Sequence, residues 1–382
     1  MRIAQVVETL NAGGAEGLAV DIANSLAARG HPSHLIVMEG DGPFRQRISE
    51  AVHFTDLGFP CRTGSSLANS LYFRKTYGAL AKILRENQVD VVQTHLPKAN
   101  FLGLFLGKNG VARVFPTVHN NREFDYGDHA NPMKEFLRKR AYRQMLSWCQ
   151  AMIAVSEQVR TAMIGELKVT GGKSERLVVI PNGVAVPPLL ERRERQLVRQ
   201  RWSVGDQEVL LVAVGRLTRQ KNFASLVEAL AMVPDTAGPW KCLIAGDGEL
   251  RDILAADIAA RGLGERIVLA GHVSDIGPLL GAADVFCLSS LFEGLPLVLL
   301  EAMAAGLPVC AYGIDGVVDV VQDGVQARLA RPEDPADLAR ALQILLAAPE
   351  LRREMGAAGR VLVQADFNFE RVVDQLEELF EA

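Results

Sequence analysis

Short apolar runs alternate with longer amphipathic stretches along the whole chain. The apolar runs are bounded by glycine or polar turn residues, a pattern typical of strands that are buried on both faces of a parallel sheet. The stretches between them are long enough for crossover helices, so the pattern predicts an α/β fold with parallel sheets covered by helices. The predicted strands are Ile3–Val7, Leu35–Met38, Val89–Gln93, Arg113–Val118, Met152–Ala154, Val209–Val214, Lys241–Ala245, Arg266–Leu269, Val285–Leu288 and Val309–Ala311.

This pattern occurs twice, and a linker separates the two halves. Prolines around Pro187 interrupt the alternation, and a charged helical stretch then leads into the second half. A chain of 382 residues, of which 49% are hydrophobic, is long enough to build two cores. We therefore predict one domain over residues 1–185, a second over 186–366, and a C-terminal helix at about 367–382.

Composition narrows the class of protein. The net charge of −4 combines a basic half, with 22 basic and 16 acidic residues in 1–185, and an acidic half, with 19 and 29 in 186–382. No uncharged apolar run reaches the ~18 residues that a membrane span requires, and Met1 opens directly into a predicted strand. Five scattered cysteines without metal-ligand spacing indicate reduced thiols. We expect a cytoplasmic protein without a signal peptide and without a nucleic-acid partner.

Two carboxylates flank the start of an otherwise apolar helix. Pro296 suits the first helical position, so Glu293 falls in the loop just before a helix N-terminus, where unpaired N–H groups attract phosphate. Glu301 lies within the apolar run and is predicted to be buried, where sugar hydroxyls could donate hydrogen bonds to it. The alternative is a structural buried glutamate and an unrelated loop glutamate.

Two cations follow the predicted strand Val209–Val214. Arg216 and Lys221 lie in the turn beyond its carboxyl end, where ligands bind in open α/β sheets. An arginine and a lysine at this spacing could clamp a diphosphate from two directions. The alternative is a pair of solvated loop charges.

A glycine pair separates the first predicted strand from the first helix. Gly13 and Gly14 would let the backbone approach an anion at the helix N-terminus. The alternative is a tight turn without a ligand.

A basic helical stretch follows in the first half. Its predicted inward face is apolar and comprises Leu137, Ala141, Met145 and Trp148. Its opposite face is basic, with an aromatic among the charges, and comprises Lys134, Phe136, Lys139, Arg140 and Arg143. Such a face could contact an anionic membrane surface, although a solvated helix packed by its apolar stripe is the alternative.

A series of motifs along nearly the whole chain resembles one enzyme family, the retaining GT-B glycosyltransferases of family 4, or bacterial group 1. The motifs are Gly13-Gly14-Ala15-Glu16, Thr117-Val118-His119-Asn120, Ala154-Val155-Ser156, Ile180-Pro181-Asn182-Gly183-Val184, Gly215-Arg216-Leu217 with Lys221-Asn222, Gly246-Asp247-Gly248, Gly271-His272-Val273 and the Glu293/Glu301 pair. The resemblance implies two Rossmann-like, doubly wound parallel-sheet domains facing a deep cleft. The first domain would bind the acceptor, the second the nucleotide-sugar donor, and the last helix would pack back on the first domain.

The resemblance also implies roles for individual residues. Arg216 and Lys221 would offset the charge of the departing diphosphate, while Glu293 would bind hydroxyls of the transferred sugar. The implied donor-binding set comprises Gly13, Gly14, Arg216, Lys221, Val273, Glu293, Gly294, Leu295, Pro296, Leu297 and Glu301. Within it, Glu301 would hold the ribose and Val273 the base.

Two histidines complete the implied site. His119 would hydrogen-bond the donor sugar and assist the leaving group, so the implied catalytic residues are His119, Arg216, Lys221 and Glu293. His95, at another strand end, is a rival histidine that could serve the acceptor. Asp319 stands where the family commonly has a glutamate that touches the donor, which leaves the role of that loop open.

The implied activity is transfer of a hexose from a nucleotide-sugar, with a UDP-sugar favoured, to a lipid-linked or saccharide acceptor in cell-envelope polysaccharide or glycolipid biosynthesis. The family retains configuration, so an α-linkage is expected. We expect no cofactor and no metal, since the sequence contains no Asp-x-Asp. The enzyme would be peripheral on the cytoplasmic face of the inner membrane. A non-hydrolysing sugar-nucleotide epimerase and a catalytically silent sugar-nucleotide-binding scaffold are the alternatives.

Overall fold

The structure is a computed structural model that describes residues 1–11, 13–40, 42–59, 66–120 and 132–382. The chain divides into two compact units, Met1–Asn182 with Val372–Ala382, and Gly183–Arg371. Each unit contains one parallel sheet with helices between its strands. The predicted class, α/β with two doubly wound parallel-sheet domains, is confirmed.

The first unit is built on a seven-stranded sheet. Its strands are β1 (Ile3–Val7), β2 (Ser33–Val37), β3 (Val52–Asp56), β4 (Val91–His95), β5 (Arg113–Val118), β6 (Met152–Ala154) and β7 (Leu177–Val179). Its helices are α1 (Gly14–Ala28), α2 (Ser66–Glu86), α3 (Pro97–Lys108), α4 (Pro132–Met145) and α5 (Glu157–Leu167). The strands pair in the order β3-β2-β1-β4-β5-β6-β7. Every residue of β1, β2 and β4 is buried, as expected for central strands covered on both faces.

The second unit is built on a six-stranded sheet. Its strands are β8 (Val209–Val214), β9 (Trp240–Ala245), β10 (Ile267–Gly271), β11 (Val285–Leu288), β12 (Val309–Tyr312) and β13 (Ala327–Ala330). Its helices are α6 (Arg192–Arg201), α7 (Phe223–Ala231), α8 (Arg251–Ala260), α9 (Gly277–Ala282), α10 (Leu297–Ala304), α11 (Pro335–Ala347) and α12 (Pro349–Asp366). The strands pair in the order β10-β9-β8-β11-β12-β13.

Short 3₁₀ turns and a terminal helix complete the chain. The turns are Pro43–Arg47, Leu146–Trp148, Gly171–Lys173 and Asp235–Ala237, and the terminal helix is α13 (Phe369–Glu381). The ring of Phe380 in α13 lies 4.9 Å from that of Phe115 in β5, and Phe380 is fully buried. His31 and Glu377 add a polar contact of 2.7 Å. These contacts join the end of the chain to the first unit, as the resemblance implied. Across the described ranges, none of the helices combines the length and the hydropathy needed to traverse a bilayer.

The apolar pattern predicted the central strands but missed three strands at sheet edges. Those strands are β3, β7 and β13, each of which has partly or fully exposed positions. An edge strand has only one neighbouring strand and is less covered, so it tolerates polar residues such as His53 and Arg328 that interrupt an apolar run.

Candidate active site

The second sheet has its topological switch point between β8 and β11. β9 and β10 extend the sheet on one side of this pair, and β12 and β13 extend it on the other. Ligands of open parallel sheets bind beyond the carboxyl ends of the strands at such a point, because the loops diverge there and leave a crevice. The loops after β8 and β11 carry Arg216, Lys221 and Glu293, so the topology places these predicted residues where a ligand is expected.

An ion pair joins the two loops. Nζ of Lys221 lies 2.5 Å from Oε1 of Glu293, and 19% and 9% of the two side chains are exposed. The hydroxyl of Ser289 donates to the carbonyl of Lys221 at 2.9 Å, and Gln220 Nε2 donates to the carbonyl of Phe292 at 3.0 Å. Oε2 of Glu293 has no hydrogen-bond partner among the described residues. The two loops therefore present a cation and an unpaired carboxylate oxygen side by side.

Helix α10 begins directly after this pair, at Leu297, with Pro296 as its N-cap residue. We predicted Pro296 as the first helical residue, so that boundary was wrong by one position. Proline has no side-chain acceptor for the first-turn N–H groups, so this N-terminus carries no cap from its own N-cap residue. The loop residues before it, Gly294 and Leu295, are buried. The arrangement leaves a helix N-terminus beside Glu293.

Glu301 is partly exposed, and the prediction that it is buried was wrong. The cause is helical geometry, because Leu297 and Val298, four and three residues earlier on the same face, are also partly exposed. The other face of α10 is buried, including Leu299 and Leu300. Apart from Glu301 the helix is therefore apolar all round, and its partly exposed face is one that a ligand could reach.

A close backbone approach supports the loop that carries Glu293. Gly316, in the loop after β12, has a φ of +75°, and a Cβ there would lie 2.5 Å from the carbonyl oxygen of Gly294 and 2.8 Å from that of Glu293. Only glycine combines this backbone conformation with this approach. The side chain of Asp319, further along the same segment, is exposed. The segment after β12 thus supports the site through its backbone.

The remaining predicted donor residues lie on the same edge of the second sheet. Arg216 follows β8 and is exposed, while Val273 follows β10 and is partly exposed. The backbone N–H of Gly246, after β9, donates to the carbonyl of Gly271 at 2.8 Å and ties these two loops together. The carboxyl edge of the second sheet therefore gathers all the predicted donor residues of this unit.

The glycine turn of the first unit leads from β1 into α1, as predicted. Gly13 is the N-cap residue of α1, and the helix begins at Gly14. A Cβ at Gly13 would overlap the carboxylate of Glu16, which lies in the first turn and covers this N-terminus. An acidic side chain is stable at this position because of the helix dipole. An anion at Gly13 would have to displace this carboxylate, and the predicted anion contact stays a prediction.

A chain of polar side chains in the first unit ends at His119. Nε2 of His119 lies 3.0 Å from Nδ1 of His95, and Nε2 of His95 lies 2.8 Å from Oε1 of Gln5. Burial lowers the pKa of His119 to about 4 and lowers the pKa of His95 well below its ordinary value. His95 is fully buried with both ring nitrogens bonded, so the prediction that it contacts an acceptor directly was wrong. Gln5 was missed; its signal was an amide in an otherwise apolar strand.

Helix α4 is rotated relative to the predicted orientation. Leu137, which we placed on the packed face, is 54% exposed, and Met133 and Phe136 beside it are 64% and 59% exposed. The buried positions are Tyr142 and Leu146, and the hydroxyl of Tyr142 donates to the carbonyl of Pro97 at 3.2 Å. The face of α4 that carries Tyr142 therefore packs against the unit, and the apolar triplet Met133, Phe136 and Leu137 faces outward.

The basic residues of α4 differ in whether a carboxylate offsets their charge. Lys139 lies 2.6 Å from Glu135 and also pairs with Glu166, so two carboxylates offset its charge and its contact with a membrane stays a prediction. Arg140 and Arg143 are exposed. The side chains of Lys134 and Met145 lie outside the described residues.

Comparison with known protein families gives matches over most of the chain. Residues 12–186 match the family described as Glycosyltransferase Family 4, and residues 194–362 match Glycosyl transferases group 1. Among curated proteins, the Escherichia coli UDP-Gal:alpha-D-GlcNAc-diphosphoundecaprenol alpha-1,3-galactosyltransferase is 26% identical over 362 residues, which cover 90% of this chain and 88% of that one. The Bacillus anthracis N-acetyl-alpha-D-glucosaminyl L-malate synthase is 23% identical over 372 residues, covering 96% and 93% of the two chains.

Solved structures share the fold. Anabaena HepE in complex with UDP and glucose superposes with a TM-score of 0.82 at 21% identity, covering 100% of this chain and 99% of that one. Sucrose-phosphate synthase from Thermosynechococcus elongatus superposes with a TM-score of 0.84 at 22% identity, covering 100% and 98%. At this identity the likeness establishes the GT-B fold.

Proposed function

The chain belongs to the group 1, family 4 glycosyltransferases, and we propose that it transfers a hexose from a UDP-sugar to a lipid-linked or saccharide acceptor with retention of configuration. The product would carry an α-linkage and would serve cell-envelope polysaccharide or glycolipid biosynthesis. The observation that carries this proposal is the Lys221–Glu293 pair at the switch point of the second sheet, beside the N-terminus of α10.

The cation and the carboxylate of this pair can bind different parts of the donor. Lys221 and the exposed Arg216 can neutralise a diphosphate, whose charge increases as the bond to the sugar breaks. Positive charge supplied by these side chains can replace a metal ion, so we propose a reaction without metal or cofactor. The unpaired Oε2 of Glu293 can accept a hydrogen bond from a hydroxyl of the transferred sugar.

The other predicted residues on this edge fit the rest of the donor. Glu301 lies on the accessible face of α10 and can accept hydrogen bonds from ribose hydroxyls, since carboxylates are acceptors only. Val273 lies at the far side of the same edge, after β10, where its backbone could meet a base. The choice of UDP is supported by the Escherichia coli relative, whose name specifies UDP-Gal, and by the UDP-bound structure that shares the fold.

A panel of donors tests the donor half of this proposal. UDP-, GDP- and ADP-sugars are incubated with the protein without acceptor, and release of nucleoside diphosphate to water is measured. We expect slow release from UDP-hexoses that is lost in Glu293→Ala. Release of GDP or ADP alone would contradict the choice of UDP, and binding of nucleotides without release from any donor would favour the scaffold alternative.

The exposed triplet on α4 supports a membrane-associated acceptor. Met133, Phe136 and Leu137 are spaced so that they share one helical face, and Arg140 is a further exposed residue one turn away. Apolar side chains that insert at the headgroup level, next to arginines that attract anionic lipids, are typical of a helix that lies on a membrane. We therefore place the protein, as a proposal, on the cytoplasmic face of the inner membrane.

Sedimentation with liposomes tests this surface. Phe136→Ser with Leu137→Ser should weaken sedimentation with phosphatidylglycerol-containing vesicles, and Arg140→Ala with Arg143→Ala should weaken it most at low salt. Ile253→Ser is a matched control, because Ile253 is 67% exposed on a helix of the other unit. Sedimentation that is equal in all variants would contradict the membrane proposal and would leave the donor chemistry unaffected.

A further inference from the structure

The hydrogen-bonded chain of Gln5, His95 and His119 runs from the core of the first sheet to its carboxyl edge. Gln5 lies in β1 and His95 ends β4, and both are fully buried, whereas His119 follows β5 and is partly exposed. The two links measure 2.8 Å and 3.0 Å. The chain therefore connects one accessible imidazole with two side chains that no ligand can reach.

The hydrogen-bonded chain of Gln5, His95 and His119 lies beside features that do not favour stability. Gln5 Nε2 and Gln93 Oε1 are buried without a hydrogen-bond partner among the described residues, which is unfavourable. Leu96, directly after His95, has a φ of +72°, a conformation that strains a residue with a side chain. Unpaired buried groups and backbone strain are expected where a site, rather than stability, determines the sequence.

Both imidazoles are neutral near pH 7. Burial lowers the pKa of each ring, and the proximity of the His119 ring lowers that of His95 further. A neutral imidazole has one nitrogen that donates and one that accepts. Which nitrogen of each ring carries the proton is therefore determined by whether the group at the buried end of the hydrogen-bonded chain accepts or donates.

Gln5 is that group. Its Oε1 accepts from Nε2–H of His95, so Nδ1 of His95 is an acceptor and His119 must donate from Nε2. Gln5 and Gln93 are register partners on adjacent strands, so their side chains leave the sheet on the same face. In this orientation one buried donor, Nε2 of Gln5, and one buried acceptor, Oε1 of Gln93, lack a partner among the described residues, whereas a reversed Gln5 amide would leave two buried acceptors without one.

We propose that Gln5 and His95 are positioning residues that hold His119 in the Nε2–H tautomer, so that its Nδ1 accepts a hydrogen bond from a hydroxyl of the bound sugar. This inference rests on the proposed glycosyl transfer. Nδ1 of His119 has no hydrogen-bond partner among the described residues. A fixed acceptor favours a sugar hydroxyl and disfavours a carboxylate at the same place, because a carboxylate cannot donate.

The proton order is measured directly by NMR. Long-range ¹H–¹⁵N spectra of the ¹⁵N-histidine-labelled full chain at pH 7.5 distinguish protonated from unprotonated ring nitrogens, with His119 assigned by its loss in His119→Gln. We expect His119 to show a protonated Nε2 and an unprotonated Nδ1. His95→Leu removes the acceptor and should give a mixture of tautomers, whereas His95→Asn keeps an acceptor near the position of Nδ1 and should preserve the wild-type pattern.

The kinetics of nucleotide release from the donor sugar then test whether Gln5 and His95 act by positioning His119. We expect kcat of His95→Leu and Gln5→Met to fall about tenfold to a hundredfold, as for loss of one hydrogen bond to the reacting sugar, and His95→Asn to restore most of it. His34→Gln is a matched control, because His34 is a buried histidine on β2 outside this chain.

Three results would overturn the inference. They are a protonated Nδ1 on wild-type His119, an unchanged tautomer in His95→Leu, and a kcat of His95→Leu equal to that of His34→Gln. Absence of nucleotide release from the wild-type protein with every donor would instead overturn the proposed function, while the spectra would still decide the proton order.

Discussion

Removing the ammonium group of Lys221 is the sharpest perturbation of the second unit. Lys221→Ala takes away the cation that we assign to the diphosphate, and a charge about 4 Å from a partly buried partner contributes about 4 kcal/mol at an effective dielectric constant of 20. Since the lysine is 19% exposed, we expect a loss of about 2–4 kcal/mol of transition-state stabilisation, or roughly 30-fold to 1,000-fold in kcat/KM.

The same substitution leaves Glu293 without its cation. Loss of one partner of a fully buried ion pair costs about 3–5 kcal/mol of stability, and we expect less here, about 2 kcal/mol, because both side chains retain contact with solvent. The double variant Lys221→Ala with Glu293→Gln removes the unpaired charge. It should regain stability in urea unfolding without regaining activity.

Lys241→Ala is the matched control for this experiment. Lys241 lies at the amino end of β9, and its Nζ donates to the carbonyl of Ser203 at 2.8 Å. We expect kcat/KM within about twofold of wild type, since an exposed hydrogen bond is worth little. Full turnover by Lys221→Ala would refute the assignment to the diphosphate. Recovery of wild-type activity in the double variant would show that Lys221 serves only to offset the charge of Glu293 and would contradict both assigned roles.

Two further predictions concern the backbone and the histidines. Gly316→Ala should displace the loop that carries Glu293 and lower kcat/KM by at least about tenfold. The control is Gly324→Ala, which has a similar φ of +80° and no atom closer than 3.9 Å to the added Cβ, and which should cost only about 1 kcal/mol of stability. Equal activity in the two variants would contradict the close-approach argument. Folding lowers the pKa of His119 from 6.5 to about 4, so the unfolded chain binds more protons than the folded chain between pH 6.5 and 4. The contribution of His119 to the free energy of unfolding is therefore complete above pH 6.5 and falls by about 3 kcal/mol as the pH drops to 4. Urea unfolding of wild type and His119→Gln between pH 7.5 and 4 measures it, and an equal pH dependence in both would contradict the buried neutral histidine.

The sequence predicted the centre of each sheet well, for a physical reason. Central strands are covered on both faces, so β1, β5, β6, β8 and β11 read as mainly apolar runs and were predicted with their observed bounds. The edge strands β3, β7 and β13 carry no such requirement and were missed, although β10, which is also an edge strand, was predicted. Residues that follow central strands at a switch point could therefore be predicted as a site without knowledge of the packing.

Contacts between distant segments could not be predicted in the same way. The Lys221–Glu293 pair and the link from Gln5 to His95 join residues that are 72 and 90 positions apart, and no local pattern encodes which loop ends meet. Helix α4 shows a related limit. Its periodicity allowed Leu137 on the inner face, but the buried Tyr142 and its bond to Pro97 select another rotation.

The stereochemistry of the first product tests the central claim most directly. The active donor from the panel, UDP-glucose in the first instance, is hydrolysed by the protein with water as acceptor and followed by ¹H NMR faster than the free sugar mutarotates. We predict that the α-anomer accumulates first and that Glu293→Ala releases none. Initial release of the β-anomer would contradict a retaining mechanism.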